Sequence, residues 1–241
     1  MADSLVYTGT AGFGLTGTAN QTLTHSGSST SFRFSPVINK PSGTVTLATA
    51  LPLNTAGQDL TITSGTLSLA GYNLTVNDQF IIGASGTLRL QGGETISKAP
   101  TANSGTVQYT GDGAGTAVTL KNWTYASLDI ASTTGTPSTF SLPAALTLSG
   151  NLSRSGGTLD AMASNYDLSL GGNWLASGGS FTARSATVTL SANTSHTITG
   201  SSTFNNLSQV STAADTLTFE AGSTQTITGI LTLQRTFLGS T

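Results

Sequence analysis

Six acidic residues are the side chains of this chain most suited to catalysis or to ion binding. Carboxylates gathered on one face of a β-protein can hydrolyse a glycan by acid–base chemistry or bind Ca²⁺. The six stand singly, in stretches that we interpret as turns, and they share no catalytic spacing. We therefore expect solvated turn residues and no enzyme. The acidic residues are Asp112, Asp129, Asp160, Asp167, Asp215 and Glu220.

Asp112 is the sole candidate metal ligand. It lies in TGDGAGT, a segment similar to a Ca²⁺-binding turn. The nonapeptide pattern GGxGxDxUx, which repeats in Ca²⁺-binding β-helices, does not recur in the sequence. The sequence therefore predicts that Asp112 forms a turn, and that the chain holds no metal and no cofactor.

The remaining reactive residue types are sparse. The chain has no cysteine, and its two histidines, His25 and His196, lie far apart beside Thr-rich segments. We expect both to be surface or turn residues, because no HxH or HxxxH pair supports a transition-metal site. The Gly-rich segment at 9–17, GTAGFGLTG, contains neither GxGxxG nor a phosphate-loop lysine, which argues against nucleotide binding.

Composition narrows the class of protein further. Only 7% of the 241 residues are charged, 37% are hydrophobic, and the net charge is −2. Such a chain can form a core but offers no basic surface for nucleic acid. The first ten residues, MADSLVYTGT, lack the features of a signal peptide, and no apolar run approaches the ~20 residues of a membrane span. We expect no membrane insertion.

Short alternating segments place these residues in an all-β fold. The segments include TVTL at 44–47, DLTIT at 59–63, TLSL at 66–69 and NLTV at 73–76, at intervals of about seven to eight residues. Three segments would form one coil of about 22 residues in a parallel β-solenoid. The chain would then form about eleven coils in a right-handed rod of roughly 50 Å. Tandem antiparallel β-sandwiches are the alternative.

A divergent internal repeat supports the solenoid. GYNLTVNDQFIIGASGT at 71–87 aligns with NYDLSLGGNWLASGGSF at 165–181, which pairs Phe80 with Trp174. We expect both aromatic rings, and also Trp123, to pack in the core rather than to form a platform for sugar rings. The whole chain, 1–241, reads as one solenoid segment with repeat units at about 5–104, 105–186 and 187–241, the last one truncated. A longer repeat array is the expected partner.

The repeats resemble those of giant bacterial surface and secreted proteins, adhesin-like or filamentous-haemagglutinin-like. The segments NYDLSLGGNWLASGGSFTARSATVTL and TLTFEAGSTQTITGILTL are similar to these repeats in texture, and the resemblance extends from about residue 40 onward. It implies a parallel β-solenoid, an extracellular or cell-surface location and no catalytic residues. The chain also contains six Asn-x-Ser/Thr triplets, the acceptor pattern for N-glycosylation. We attribute their number to the richness of the chain in Asn, Ser and Thr alone.

Three functions follow as expectations. The first is a rigid, non-catalytic stalk or spacer of a large surface protein, with glycans or another cell surface as further partners. The second is a carbohydrate-binding or carbohydrate-active solenoid. The third is ice binding through T-x-T rows, which begin at residues 44, 61, 187, 197 and 216 without a constant spacing.

Overall fold

The computed structural model describes residues 12–25 and 34–240 of the chain. The first ten residues, in which no signal peptide is expected, lie outside the described part. The described residues contain no helix, and their strands stack in parallel as a β-solenoid of about ten turns. The predicted fold class is therefore confirmed. The chain divides into two compact units, Met1–Thr106 and Val107–Thr241.

Most strands are only two to five residues long. Unit 1 contains β1 (Gly12–Leu15), β2 (Gln21–Leu23), β3 (Ser35–Leu47), β4 (Leu51–Leu53), β5 (Leu60–Ser68), β6 (Leu74–Val76), β7 (Phe80–Leu90) and β8 (Ala102–Asn103). Strand β9 (Thr106–Tyr109) begins at the last residue of unit 1. The first half of unit 2 contains β10 (Val118–Thr119), β11 (Ser127–Ala131), β12 (Thr139–Ser141), β13 (Leu146–Leu148), β14 (Leu152–Gly156), β15 (Thr158–Asp160) and β16 (Leu168–Leu170). The second half contains β17 (Trp174–Ala176), β18 (Ser180–Thr182), β19 (Thr187–Leu190), β20 (His196–Thr199), β21 (Ser202–Phe204), β22 (Asn206–Phe219), β23 (Gln225–Ile227) and β24 (Leu231–Ser240).

In unit 1 the strands of successive coils pair in parallel. Strands β1, β3, β5 and β7 form the main stack, and β4 pairs with β6. Leu60 lies opposite Phe80, an offset of one coil, and Ile62 lies opposite Ile82.

No helix in the described residues is long and apolar enough to cross a membrane.

In unit 2 each coil contributes one strand to each of three stacks. The first stack contains β11, β14, β17 and β20, and the second contains β13, β16, β19 and β22. The third contains β10, β12, β15 and β18, while β21 and β23 form a separate pair. Leu152 lies opposite Trp174, and Trp174 lies opposite Ile198, so one coil spans 22 or 24 residues. The expected coil of about 22 residues is confirmed.

Alternating side chains explain why the coils close and stack. In β19 the burial alternates, with Val188 and Leu190 buried and the two threonines half-buried on the outer face. Inward residues of successive strands form apolar columns such as Leu128, Leu152, Trp174 and Ile198, all of them at most 2% exposed. Burial of each such side chain contributes about 1.5–3 kcal/mol, so stability is distributed along the stack.

Phe80 and Trp174 are core residues, as predicted. Each is the first residue of its strand, and they are 0% and 1% exposed. The Trp174 ring packs edge-on against Phe181 and Phe204, with ring centroids 5.0 and 4.9 Å away. Trp123 is half-buried rather than fully buried, and its ring lies 6.3 Å from that of Tyr125.

Asparagine and aspartate side chains join one coil to the next at strand entrances. Asn151 Oδ1 accepts the backbone N–H of Asn173 at 2.8 Å, and Asn173 Oδ1 accepts that of Thr197 at 2.8 Å. These oxygens satisfy backbone donors where the chain turns and the strand ladder stops. Five asparagines of Asn-x-Ser/Thr triplets make such bonds. They are Asn20, Asn73, Asn151, Asn193 and Asn206.

Gln209 interrupts an apolar column of unit 2. It lies between Leu190 and Leu233 in register, and its side chain is 0% exposed. Neither its amide oxygen nor its amide nitrogen has a hydrogen-bond partner among the described residues. Because a buried polar group without a partner lost its hydrogen bonds to water on folding, this side chain destabilises the coil.

Replacement of Gln209 by leucine is expected to raise the free energy of unfolding by about 1–3 kcal/mol, because it removes a buried unsatisfied amide. Urea unfolding followed by far-UV circular dichroism measures the change. Gln108→Leu is the matched control. Because Gln108 Nε2 donates to Asp129 Oδ2 at 2.7 Å, replacing this glutamine should not raise the free energy of unfolding. A lower stability of Gln209→Leu would contradict the interpretation.

Candidate functional site

The acidic residues do not converge, but three of them lie in strands rather than in turns. Asp129 is in β11, Asp160 is in β15 and Asp215 is in β22, so the expected turn location is wrong for these residues. Asp160 and Asp215 are buried, at 8% and 7% exposure. The alternating pattern around each is short and is interrupted by a neighbouring alanine.

Asp160 forms the one ion pair of the described residues. Its Oδ2 lies 2.8 Å from Arg184 Nη2, and its Oδ1 accepts from Arg184 Nε at 3.0 Å. These hydrogen bonds hold the pKa of Asp160 below its ordinary value, against the opposing effect of burial. A carboxylate engaged in this way joins two coils and is not poised as a general acid.

Asp112, the candidate metal ligand, is a turn residue. Its Oδ1 accepts the backbone N–H of Ala114 at 2.9 Å, and its Oδ2 accepts the hydroxyl of Thr116. Both bonds lower the pKa of Asp112, the one from Thr116 more strongly. Among the described residues, no group of three or more His, Asp or Glu side chains could hold a metal ion. Asp112 therefore belongs to no such group.

Asp167 and Glu220 act as acceptors between coils. Asp167 Oδ1 accepts the backbone N–H of Thr187 at 2.7 Å, and Glu220 Oε2 accepts that of Gly200 at 2.7 Å. Both residues lie outside the strands, as predicted. Their carboxylates replace backbone carbonyl groups at the turns of the coil.

His196 is buried, so its expected surface or turn position is wrong. It is the first residue of β20 and is 1% exposed. Its Nδ1 lies 2.7 Å from the carbonyl of Gly172, and its Nε2 lies 3.3 Å from that of Ala192. These contacts fix the ring between two turns. His25 is half-buried after β2, far from His196 in sequence, and its backbone N–H donates to Thr49 Oγ1 at 2.8 Å.

Two buried tyrosines form a closed hydrogen-bond network in unit 2. Tyr109 Oη and Tyr125 Oη lie 3.1 Å apart, Tyr125 donates to the carbonyl of Lys121, and the Lys121 N–H donates to Tyr109 Oη. Burial, followed by the proximity of Tyr109, raises the pKa of Tyr125 far above its ordinary value. The Tyr125 hydroxyl is therefore a protonated donor that serves the fold.

Arg154 is the unusual charged residue of unit 2. Its side chain is 4% exposed, its Nη2 donates to Ser202 Oγ at 3.2 Å, and its Nε has no hydrogen-bond partner among the described residues. The Cζ atom lies 6.0 Å from the centroid of the Trp174 ring. Burial lowers the pKa of the guanidinium, which nevertheless stays protonated.

No described carboxylate lies within ion-pairing distance of Arg154. Burying a charge without a counter-charge costs several kcal/mol, and contact with an aromatic face returns about 1–2 kcal/mol of it. Lys40 of unit 1, which is 1% exposed, differs because its Nζ donates to both Thr16 O and Gln21 Oε1. Arg154 therefore holds a buried positive charge that its own chain compensates incompletely.

The sequence contained a signal for Arg154 that the search for catalytic motifs missed. NLSRSGG at 151–157 aligns with NWLASGG at 173–179, which pairs Arg154 with Ala176 at an inward position of the strand. An arginine at an inward position is unusual in a chain with eight basic residues. Because Ala176 is small, the arginine side chain can extend past it to Ser202, two coils further along.

Arg154 lines a cavity of about 280 Å³. Phe181 and Gly179 form part of its wall, and six hydroxyl-bearing residues form most of the rest: Ser180, Ser201, Ser202, Thr203, Thr224 and Thr226. The cavity lies where the third stack is interrupted, because β18 ends one sheet and β21 begins another. Its lining contains no acidic residue.

A second cavity of about 480 Å³ shares Gly179 and Ser180 with the first. Its lining includes Ser132, Ser155 and Thr158 and contains no charged residue. Together the two cavities offer hydroxyl groups along the outer side of unit 2, with one cation at the end where Arg154 lies.

This chain matches no protein-family model, no curated protein and no solved structure. The resemblance to adhesin-like and filamentous-haemagglutinin-like repeats therefore stays a prediction. The geometry of the described residues is the remaining basis for a functional argument.

The T-x-T segments do not align from coil to coil. The segment at 187–189 pairs with Asn206 and Ser208. The segment at 197–199 is shifted against the one at 216–218, so that only Thr197 and Thr218 lie opposite each other. The regular two-column threonine array on which the ice-binding expectation depends is not formed by these strands.

Proposed function

We propose that this chain is a structural segment, a rigid and non-catalytic spacer in a larger bacterial surface protein. The observation that supports the proposal is the repeated use of side-chain oxygens to join successive coils. Asp167, Asn173 and Glu220 each accept a backbone N–H from a neighbouring coil. Polar groups that an enzyme would direct at a substrate are here committed to the stack.

The outer face of unit 2 supports the same role. Thr147, Ser169, Thr189 and Ser208 follow one another in register along the second stack, half-buried or exposed. Hydroxyl groups can be hydrated without the side-chain entropy cost of lysine or glutamate. The chain thus keeps a hydrated surface with few charges, as an exposed extracellular spacer would.

The last coil supports the proposed partner, a further coil of a repeat array. Leu231 continues the column of Val188 and Leu207 and is 48% exposed, while Phe237 and Leu238 are 64% and 63% exposed. An apolar strand edge of this kind is stabilised when another strand pairs with it. We propose that a coil of the same type covers β24 in the full assembly.

Small-angle scattering from the whole chain tests the spacer role, because a spacer must keep its two ends apart. We expect the distance distribution of an elongated particle, with a cross-section that stays constant as protein concentration changes. A distribution typical of a compact sphere would contradict the proposal. Assays on a panel of glycans should show no cleavage, and activity abolished by replacing Asp112, Asp129 and Asp160 would favour the enzyme alternative.

A further inference from the structure

The Arg154 cavity has the features of an anion site. We propose that it binds one oxyanion group, a carboxylate or sulfate carried by a hydroxyl-rich ligand such as an acidic sugar. This inference does not depend on the spacer role, since a spacer with or without a ligand site would have the same coils.

The first step of the argument is charge. Arg154 is only 4% exposed and lines the cavity. It has no acidic partner within ion-pairing distance among the described residues. A guanidinium presents several N–H donors in one plane, and an oxyanion accepts two of them at once. Its Nε is buried and has no hydrogen-bond partner among the described residues.

The second step is the preorganisation of the guanidinium. Ser202 Oγ accepts hydrogen bonds from both Arg154 Nη2, at 3.2 Å, and Trp174 Nε1, at 2.9 Å. The Trp174 ring is held in turn between Phe181 and Phe204. The cation is therefore fixed by a rigid aromatic cluster, and little side-chain freedom is left to lose when an anion binds.

The third step is the chemistry of the remaining wall. Hydroxyl groups line both this cavity and the adjoining one, and neither lining contains an acidic residue. Hydroxyl groups both donate and accept hydrogen bonds, which suits a polyhydroxylated ligand. The volume of about 280 Å³ is near the lower limit for ligand pockets and fits a single sugar unit.

The two tryptophans of the chain make the test specific. The indole N–H of Trp174 donates to the same Ser202 Oγ that holds Arg154, whereas Trp123 lies beside Tyr125 in an earlier coil. Nitrogen-edited NMR of the full chain resolves these two indole signals. We expect sodium glucuronate or sodium sulfate, titrated at constant ionic strength, to shift the Trp174 signal saturably and to leave the Trp123 signal in place.

Variants of Arg154 test whether its guanidinium group binds the anion. Arg154→Met should abolish the saturable shift, and Arg154→Lys should weaken binding about tenfold, because an ammonium group lacks the planar fork. Arg184→Gln is the control, since Arg184 is paired with Asp160 and does not line the cavity; it should bind as the parent chain does. An unchanged Trp123 signal verifies that each variant is folded.

The sources of the oxyanion are distinguished by the two ligands. Saturation by both supports an oxyanion site, and saturation by glucuronate alone supports a site that also reads the sugar hydroxyls. The proposal is overturned if neither anion saturates up to high-millimolar concentration, if glucose shifts the Trp174 signal equally, or if Arg154→Met and Arg154→Lys both bind as well as the parent chain.

Discussion

Replacement of Trp174 by alanine is expected to lower the free energy of unfolding by about 3–5 kcal/mol, one of the largest effects of a single substitution in this chain. The side chain is 1% exposed and lies between Leu152 and Ile198 in its column. Its ring also contacts Phe181 and Phe204 edge-on. Alanine would leave a cavity that a stack fixed by hydrogen bonds on all sides can collapse only in part.

The loss has a polar component as well. Trp174 Nε1 donates to Ser202 Oγ, and the ring face lies near the buried Arg154 cation. Removing the indole exposes that cation to an empty apolar space and deprives Ser202 of one donor. Trp174→Phe separates the two components, because it retains most of the packing and loses only the N–H; we expect a loss of about 1–2 kcal/mol.

Urea unfolding followed by far-UV circular dichroism measures both variants. Trp123→Ala is the matched control, since Trp123 is half-buried and contacts a single aromatic ring, that of Tyr125, among the described residues. It should lose clearly less stability than Trp174→Ala. Equal losses at the two positions would show that the Trp174 cluster contributes no more than a half-buried ring does.

The solenoid could be predicted from the sequence because its determinants are local and repeated. Each strand needs only two or three alternating residues, as in the TVTL of β19, and a turn signal after it. The alignment of 71–87 with 165–181 placed Phe80 and Trp174 in the core, where the structure has them. Repetition supplies the evidence that a single short strand lacks.

The polar interior could not be predicted in the same way. His196 and Asp160 are buried because each interacts with a partner one coil away, 24 residues distant in sequence. No period-2 pattern encodes such a pair. Arg154 is the extreme case, since Ser202 is 48 residues away and belongs to a coil two turns along.

Substitution of Gly200 by alanine is expected to cost on the order of 4 kcal/mol. Gly200 has a φ of +64°, and an added Cβ would lie 1.8 Å from the carbonyl oxygen of Ala176 in the preceding coil. Because that oxygen is backbone, no side-chain rotation relieves the clash, and the two coils must separate locally. Gly200 N–H also donates to Glu220 Oε2 at 2.7 Å, so a shift here disturbs a bond to the following coil.

Gly222→Ala isolates the effect of close packing from that of the backbone conformation. Gly222 has a φ of +77°, and a Cβ at this position would meet nothing within 4 Å. It should therefore lose only about 1 kcal/mol, the cost of a left-handed conformation for an L-residue. If chemical unfolding gives similar losses for the two variants, conformation alone accounts for Gly200. A much larger loss at Gly200 would instead show that the spacing between these coils, set by direct backbone contact, limits which residues the turns can accept.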